Sequence, residues 1–330
     1  MKDKFTHKQR LENLLEGKEI DRPPVSAWRH FFDKEWTADD LADSMFEFQK
    51  QYDWDFMKIN PRASYYIEGW GGRHKPSGKP DEKPLLENAP IKNPKDWPSL
   101  KPLDIHGGAF GEQLKAVDMI NRRLDGQLDF FQTVFSPLSV AADLAESDFE
   151  FKRLLDYGSN LESALEAITA TLEDYVQELL RIGVSGIFFA TTEWAARDNI
   201  TEEQYLQYGQ PYDLRILAAA RPAKFNILHV CKRYNMLPLF KQYPADILSW
   251  NKFEEGNMDF AQADKIFTQV FLGGTDHIQT LVNGNADDIT NQVKQSLAEA
   301  GSHPLIVGPG CALKMGTPAA NLDTLRKSVY

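Results

Sequence analysis

Apolar positions along this chain alternate between two patterns. Short unbroken runs rich in β-branched and aromatic residues occur at "PPVSAW" (23–28), "DFMKIN" (55–60), "DFFQTVFS" (129–136), "GIFFAT" (186–191), "FNILHV" (225–230), "DILSW" (246–250), "VFLGG" (270–274) and "PLIVGP" (304–309). Unbroken rather than alternating hydrophobicity predicts strands covered on both faces. Between most of them the apolar period changes to three and four. "TADDLADSMFEFQKQY" and "TEEQYLQYGQPYDLRILAAA" open on a threonine cap followed by acids, and "NLESALEAITATLEDYVQELLRIG" and "NADDITNQVKQSLAEAG" stop at glycine, as helices do. Eight such β-then-α units predict an α/β fold, a single (β/α)8 TIM barrel spanning residues 1–330. An open doubly wound sheet is the competing topology. The absence of a glycine-rich phosphate loop after the first strand counts against it.

One stretch breaks the rhythm. Residues 71–107 carry seven of the chain's 18 prolines and predict a long irregular insertion after strand two. It reads either as a lid or as an arm packed on the barrel flank.

Charge narrows the partners. With 37 basic and 48 acidic side chains the net charge is −11, which disfavours nucleic acid and anionic membranes. The N-terminal stretch "MKDKFTHKQRLENLLEGKEIDRPP" has no apolar signal core, and no window reaches membrane-spanning length. Two cysteines in 330 residues argue against a disulfide scaffold and for a reducing, cytoplasmic setting. Composition leaves monomer and homodimer equally open.

Those two cysteines carry the candidate chemistry. In "ILHVC", His229 and Cys231 are two apart and project to one side of a strand end. Cys311 follows the last strand in "GPGC", where glycine and proline permit a tight turn. In a barrel, all strand C-termini share the face that holds active sites. One imidazole and two thiolates suit Zn²⁺ with an open fourth position. The same residues also read as small buried hydrophobes and a satisfied polar side chain.

The residues "LLEGKEIDRPPVSAW", "TVFSPLSVAADLAE", "TTEWAARDNITEEQYLQYGQPYDLRI" and "GPGCALKMGTPAANLDTLRKSV" resemble, in order, the uroporphyrinogen decarboxylase superfamily over nearly the whole chain. "ILHVC" with "GPGCALKMGTP" is similar to the zinc motif of its cobamide-dependent, methylcobamide:coenzyme M-like methyltransferases. The resemblance implies a (β/α)8 barrel, zinc on His229, Cys231 and Cys311, a small thiol as acceptor and a corrinoid as methyl donor. That corrinoid is either free or carried by a corrinoid protein docking as a transient partner. The match to the decarboxylases themselves is poorer. Of their arginine-rich first-strand segment only Arg29 remains, and no aspartate stands where their Phe-Ser-Asp segment falls. Uroporphyrinogen decarboxylase and a non-catalytic tetrapyrrole carrier are the alternative functions.

Further candidates come from their places at strand ends. Glu193 reads as a catalytic acid or base, as a partner of the metal site, or as an acid stabilising a helix N-terminus. Asn60, Ser136, Asp276 and His277 are expected to line the pocket together with Arg29, and His277 is a second candidate ligand. Tyr65, Tyr66 and Trp70 read as pocket wall or core.

Overall fold

A computed structural model describes residues 3–155 and 159–330. Met1 and Lys2, the head of the charged N-terminal stretch, lie outside the described residues. Among the described residues nine strands follow in chain order: β1 (Met57–Ile59), β2 (Arg73–Lys75), β3 (Leu85–Asn88), β4 (Phe130–Phe135), β5 (Gly186–Ala190), β6 (Ile227–Val230), β7 (Ile247–Trp250), β8 (Val270–Thr275) and β9 (Leu305–Pro309). Seven form one curled parallel sheet in the order β1-β4-β5-β6-β7-β8-β9. Each lies within two residues of its sequence expectation.

The eighth expected strand, 23–28, is reduced to one parallel bridge between Val25 and Val307. Pro23 and Pro24 have no N–H to donate, which shortens the ladder. The segment still joins both ends of the sheet. Val307 N–H donates to Pro24 O and Ser26 N–H to Val307 O, while Asp55 N–H donates to Val25 O. The curled sheet is therefore TIM-barrel-like, with a bridge holding the eighth position.

Strand parity sets what faces inward. Phe56, Phe131, Phe188, Ile227, Ile247 and Ile306 pack together inside the curl, closed at the N-terminal end by Leu11 and Leu14 of the helix His7–Leu15. Their neighbours Ile187, Phe189, Leu228 and Leu248 pack outward against the helices. Side chains two residues along a strand share a face. Lys58 and Asn60 follow Phe56 inward, His229 follows Ile227, and Ser249 follows Ile247.

The helices mostly match the sequence. Thr37 caps Ala38–Tyr52 through the Asp40 N–H, and Asn285 caps Ala286–Ala300 through the Asp287 and Asp288 N–H groups. One expectation needs correction. The stretch from Thr201 forms two helices, Glu202–Tyr208 and Gln210–Ala219, because Pro211 cannot donate to the preceding turn. Residues 71–107 also differ from the irregular insertion expected. They hold the antiparallel hairpin β2–β3 and a 3₁₀ turn, Pro94–Ser99, whose Trp97 is fully buried. Turn-forming, lysine-rich composition masked the hairpin.

Candidate active site

The C-terminal ends of the strands surround a cavity of about 550 Å³. On one wall His229, Cys231 and Cys311 meet, with one donor atom from each lying within 4.8 Å of the others. The two sulfurs are 4.0 Å apart and the cysteines are free. Two thiolates sharing a tetrahedral zinc at ~2.3 Å would sit ~3.8 Å apart, so the spacing suits a shared ion.

The register between β6 and β7 places His229 opposite Ser249, and the imidazole Nδ1 lies 3.0 Å from Ser249 Oγ. His229 is only 2% exposed, yet its Nε2 has no hydrogen-bond partner among the described residues. A buried orphan nitrogen is costly unless something else satisfies it. With Nδ1–H donated to Ser249, Nε2 carries the free lone pair a metal needs. The donor set, the spacing and the orphan nitrogen all fit zinc.

Local backbone holds Cys311 in place. Gly310 packs so tightly on Asn251 that a Cβ would come within 2.5 Å of its side chain, and Gly310 N–H donates to Thr275 O. The expected benefit of glycine here was a sharp turn; what the structure uses is close approach. Beyond Cys231, Lys232 and Tyr234 adopt left-handed φ values of 68° and 49°, turning the chain off the cavity. Thr192, at φ 47°, is a β-branched residue in a region it normally avoids. Its hydroxyl is tied to Ser139 Oγ at 2.7 Å.

Electrostatics follow from the sulfur pair. The hydrogen bond between the sulfurs holds the Cys311 thiol well below its usual range and pushes Cys231 well above. Burial and the nearby Cys311 raise Glu254, while burial lowers His277. Burial of Lys58 pushes its ammonium down to about 8, against the opposing pull of both cysteines.

The expected site residues divide. Asn60, Glu193 and His277 line the cavity with the three candidate ligands His229, Cys231 and Cys311, and so does Tyr66; Arg29, Ser136 and Asp276 do not. Arg29 lies 5.3 Å over the Phe31 ring and reaches Met315 Sδ, while its neighbours Trp28 and His30 face the cavity. Ser136 caps the helix Pro137–Asp143. Asp276 accepts from the Ile278 and Gln279 N–H groups. Tyr65 and Tyr66 are fully buried, and Trp70 donates to Lys101 O. His277 brings a second unpartnered nitrogen, Nδ1. Sequence reasoning missed Lys58, Phe188, Ser249, Lys232 and Glu254. The signal for Lys58 and Ser249 was present: each is a polar residue inside an otherwise apolar strand run.

The family profile described as Uroporphyrinogen decarboxylase (URO-D) matches residues 6–330; the chain belongs to the uroporphyrinogen decarboxylase family. It is similar to methylcobamide:CoM methyltransferase MtbA of Methanosarcina acetivorans, 22% identical over 340 residues covering 97% of this chain and 96% of the relative. The Methanosarcina mazei protein of the same name is 24% identical over 345 residues, with the same coverage. A methylated-thiol–coenzyme M methyltransferase of Methanosarcina mazei is 25% identical over 247 residues, 74% of this chain and 64% of the relative. Among solved structures, a methyltransferase from Methanosarcina mazei shares the fold with a TM-score of 0.81 at 18% identity, covering 98% of both chains. A B12-independent methionine synthase from Shewanella follows with a TM-score of 0.61 at 12% identity, covering 88% of this chain and 86% of that one.

Proposed function

We propose that this protein is a zinc-dependent methyltransferase that moves a methyl group from a corrinoid to a small thiol. The observation that carries the reading is the convergence of His229, Cys231 and Cys311 around an unpartnered Nε2 in the cavity at the strand C-termini. The names of the relatives, which pair methylcobamide with CoM, support it. Zinc held by these three residues supplies positive charge that favours a thiolate over a thiol, which is mostly protonated at neutral pH.

The chain's own residues do the rest. Ser249 holds the His229 ring direction, and with Nδ1–H donated to its hydroxyl, Nε2 keeps its lone pair. Trp28 and Phe188, stacked edge to face at 5.4 Å, wall the cavity and limit water around the reacting sulfur. Glu193 lines the same cavity and is placed to receive the thiol proton. The methyl group leaves its carrier without the bonding electron pair, and sulfur supplies the new one. We assign the whole of 1–330 to one (β/α)8 domain, with the mouth open to a free corrinoid or to a corrinoid protein. Among the described residues no helix is long and apolar enough to cross a membrane.

The test is to mix purified protein, methylcobalamin and a thiol and follow the corrinoid spectrum. The parent should demethylate the corrinoid only when thiol is present. Cys231→Ser combined with Cys311→Ser should lose zinc and the thiol-dependent spectral change together. Undiminished turnover in that double variant would overturn the reading.

A further inference from the structure

The cavity holds a buried cation with no carboxylate of its own. Lys58 is 5% exposed. Its ammonium donates to Asn60 Oδ1 and lies 4.5 Å from the Phe188 ring centre and 5.8 Å from that of Trp28. No ion pair to Lys58 occurs among the described residues. Glu35, also buried, is already engaged by His30 Nδ1 at 3.1 Å and the Phe31 N–H at 3.2 Å. Burying an ammonium is costly without a counter-charge, and this position would pack well with an apolar side chain.

Lys58 lines the cavity together with His229, Cys231 and Cys311. Phe188 stands next to both: the Lys58 ammonium lies 4.5 Å from its ring centre and the His229 ring 5.2 Å from it. The other lysines lining the cavity differ. Lys83, Lys232 and Lys314 are all exposed.

We infer that Lys58 is a positioning residue for the sulfur chemistry, a fixed positive charge that favours the ionised form of an incoming thiol whatever its tail carries. The inference rests on the zinc reading above. Two cysteinates and Zn²⁺ with neutral His229 sum to zero charge. An incoming thiolate would leave the group at minus one, and Lys58 cancels that charge. On binding, the thiol S–H bond would break as sulfur takes the open metal position, and the proton would pass by way of Glu193 to the buffer.

The experiment uses Lys58→Met and Lys58→Arg. Zinc per chain is measured first. The affinity for two probes, uncharged 2-mercaptoethanol and anionic 3-mercaptopropionate, is then measured by calorimetry at one pH. Lys58→Met should keep its zinc and its melting temperature, since a volume-matched apolar residue is tolerated in place of a buried charge. It should bind both thiols more weakly by a similar factor, roughly tenfold to a hundredfold, and Lys58→Arg should recover most of that loss for both. A loss confined to 3-mercaptopropionate would make Lys58 a tail anchor and overturn the inference. Unchanged affinities would overturn it too, as would zinc lost from Lys58→Met alone. Zinc missing from the parent protein would overturn the zinc reading itself, and is seen before any thiol is added.

Discussion

His229 depends on Ser249 more than on any other single side chain. The hydroxyl 3.0 Å from Nδ1 orients the ring and can accept the Nδ1–H, and such outer partners are worth about 10–100-fold in metal affinity. Ser249→Ala should therefore weaken zinc binding by about that factor in a chelator competition while the protein stays folded; unchanged affinity would mean the tautomer is fixed some other way. Gly310→Ala should cost zinc as well, because its Cβ would meet the Asn251 side chain at 2.5 Å and shift Cys311. The three candidate ligands were legible because two cysteines are few enough to ask about singly and His-x-Cys shares a strand face. The expected pocket residues that fell outside the cavity did so for local reasons. Arg29 sits between the inward Trp28 and His30, and the Ser136 and Asp276 side chains are spent on backbone N–H groups. Lys58 was legible in principle, since a lysine inside "DFMKIN" contradicts its own strand.

Elements are fastened at the opposite end of the sheet. Asp55, fully buried just before β1, accepts from Arg10 at 2.6 Å, Arg22 at 2.6 Å and the Val25 N–H at 2.7 Å, with His7 Nδ1 at 2.9 Å. It ties the N-terminal helix and the bridging segment to β1. Asp55→Asn should cost about 1.5–3 kcal/mol in chemical denaturation, because two buried arginines lose the carboxylate they share and keep only Asp21 and Asp3 nearer the surface. Burial opposes the charge on His7, but hydrogen bonds to Asp53 and Asp55 outweigh it and raise the imidazole to about 9. A raised folded-state value means that this contribution is full below 6.5, the ordinary histidine value, and is lost as pH rises through about 9. The denaturation midpoint of the parent should fall between pH 6.5 and 9.5 by more than that of His7→Gln; parallel curves would contradict the assignment. Strands were the more legible elements because covered strands need unbroken apolar runs. The hairpin β2–β3 was not, because both its strands are largely exposed and so leave no hydrophobic trace.

At the scale of the molecule, a curled parallel sheet brings residues 80 apart in sequence, Cys231 and Cys311, to 4.0 Å. The fold was readable from the count of apolar runs, and its closure was not: two prolines reduce the run at 23–28 to a bridge, a detail no periodicity reveals. The family match over residues 6–330 names the scaffold, while the chemistry is carried by side chains on its inner face. The most direct test is therefore X-ray absorption at the zinc edge on protein purified without added metal, before and after addition of a thiol. The account predicts about two sulfurs at ~2.3 Å and one imidazole nitrogen at ~2.0 Å, with a further sulfur joining when the thiol is added. Protein without zinc, or zinc with no sulfur neighbours, would contradict it.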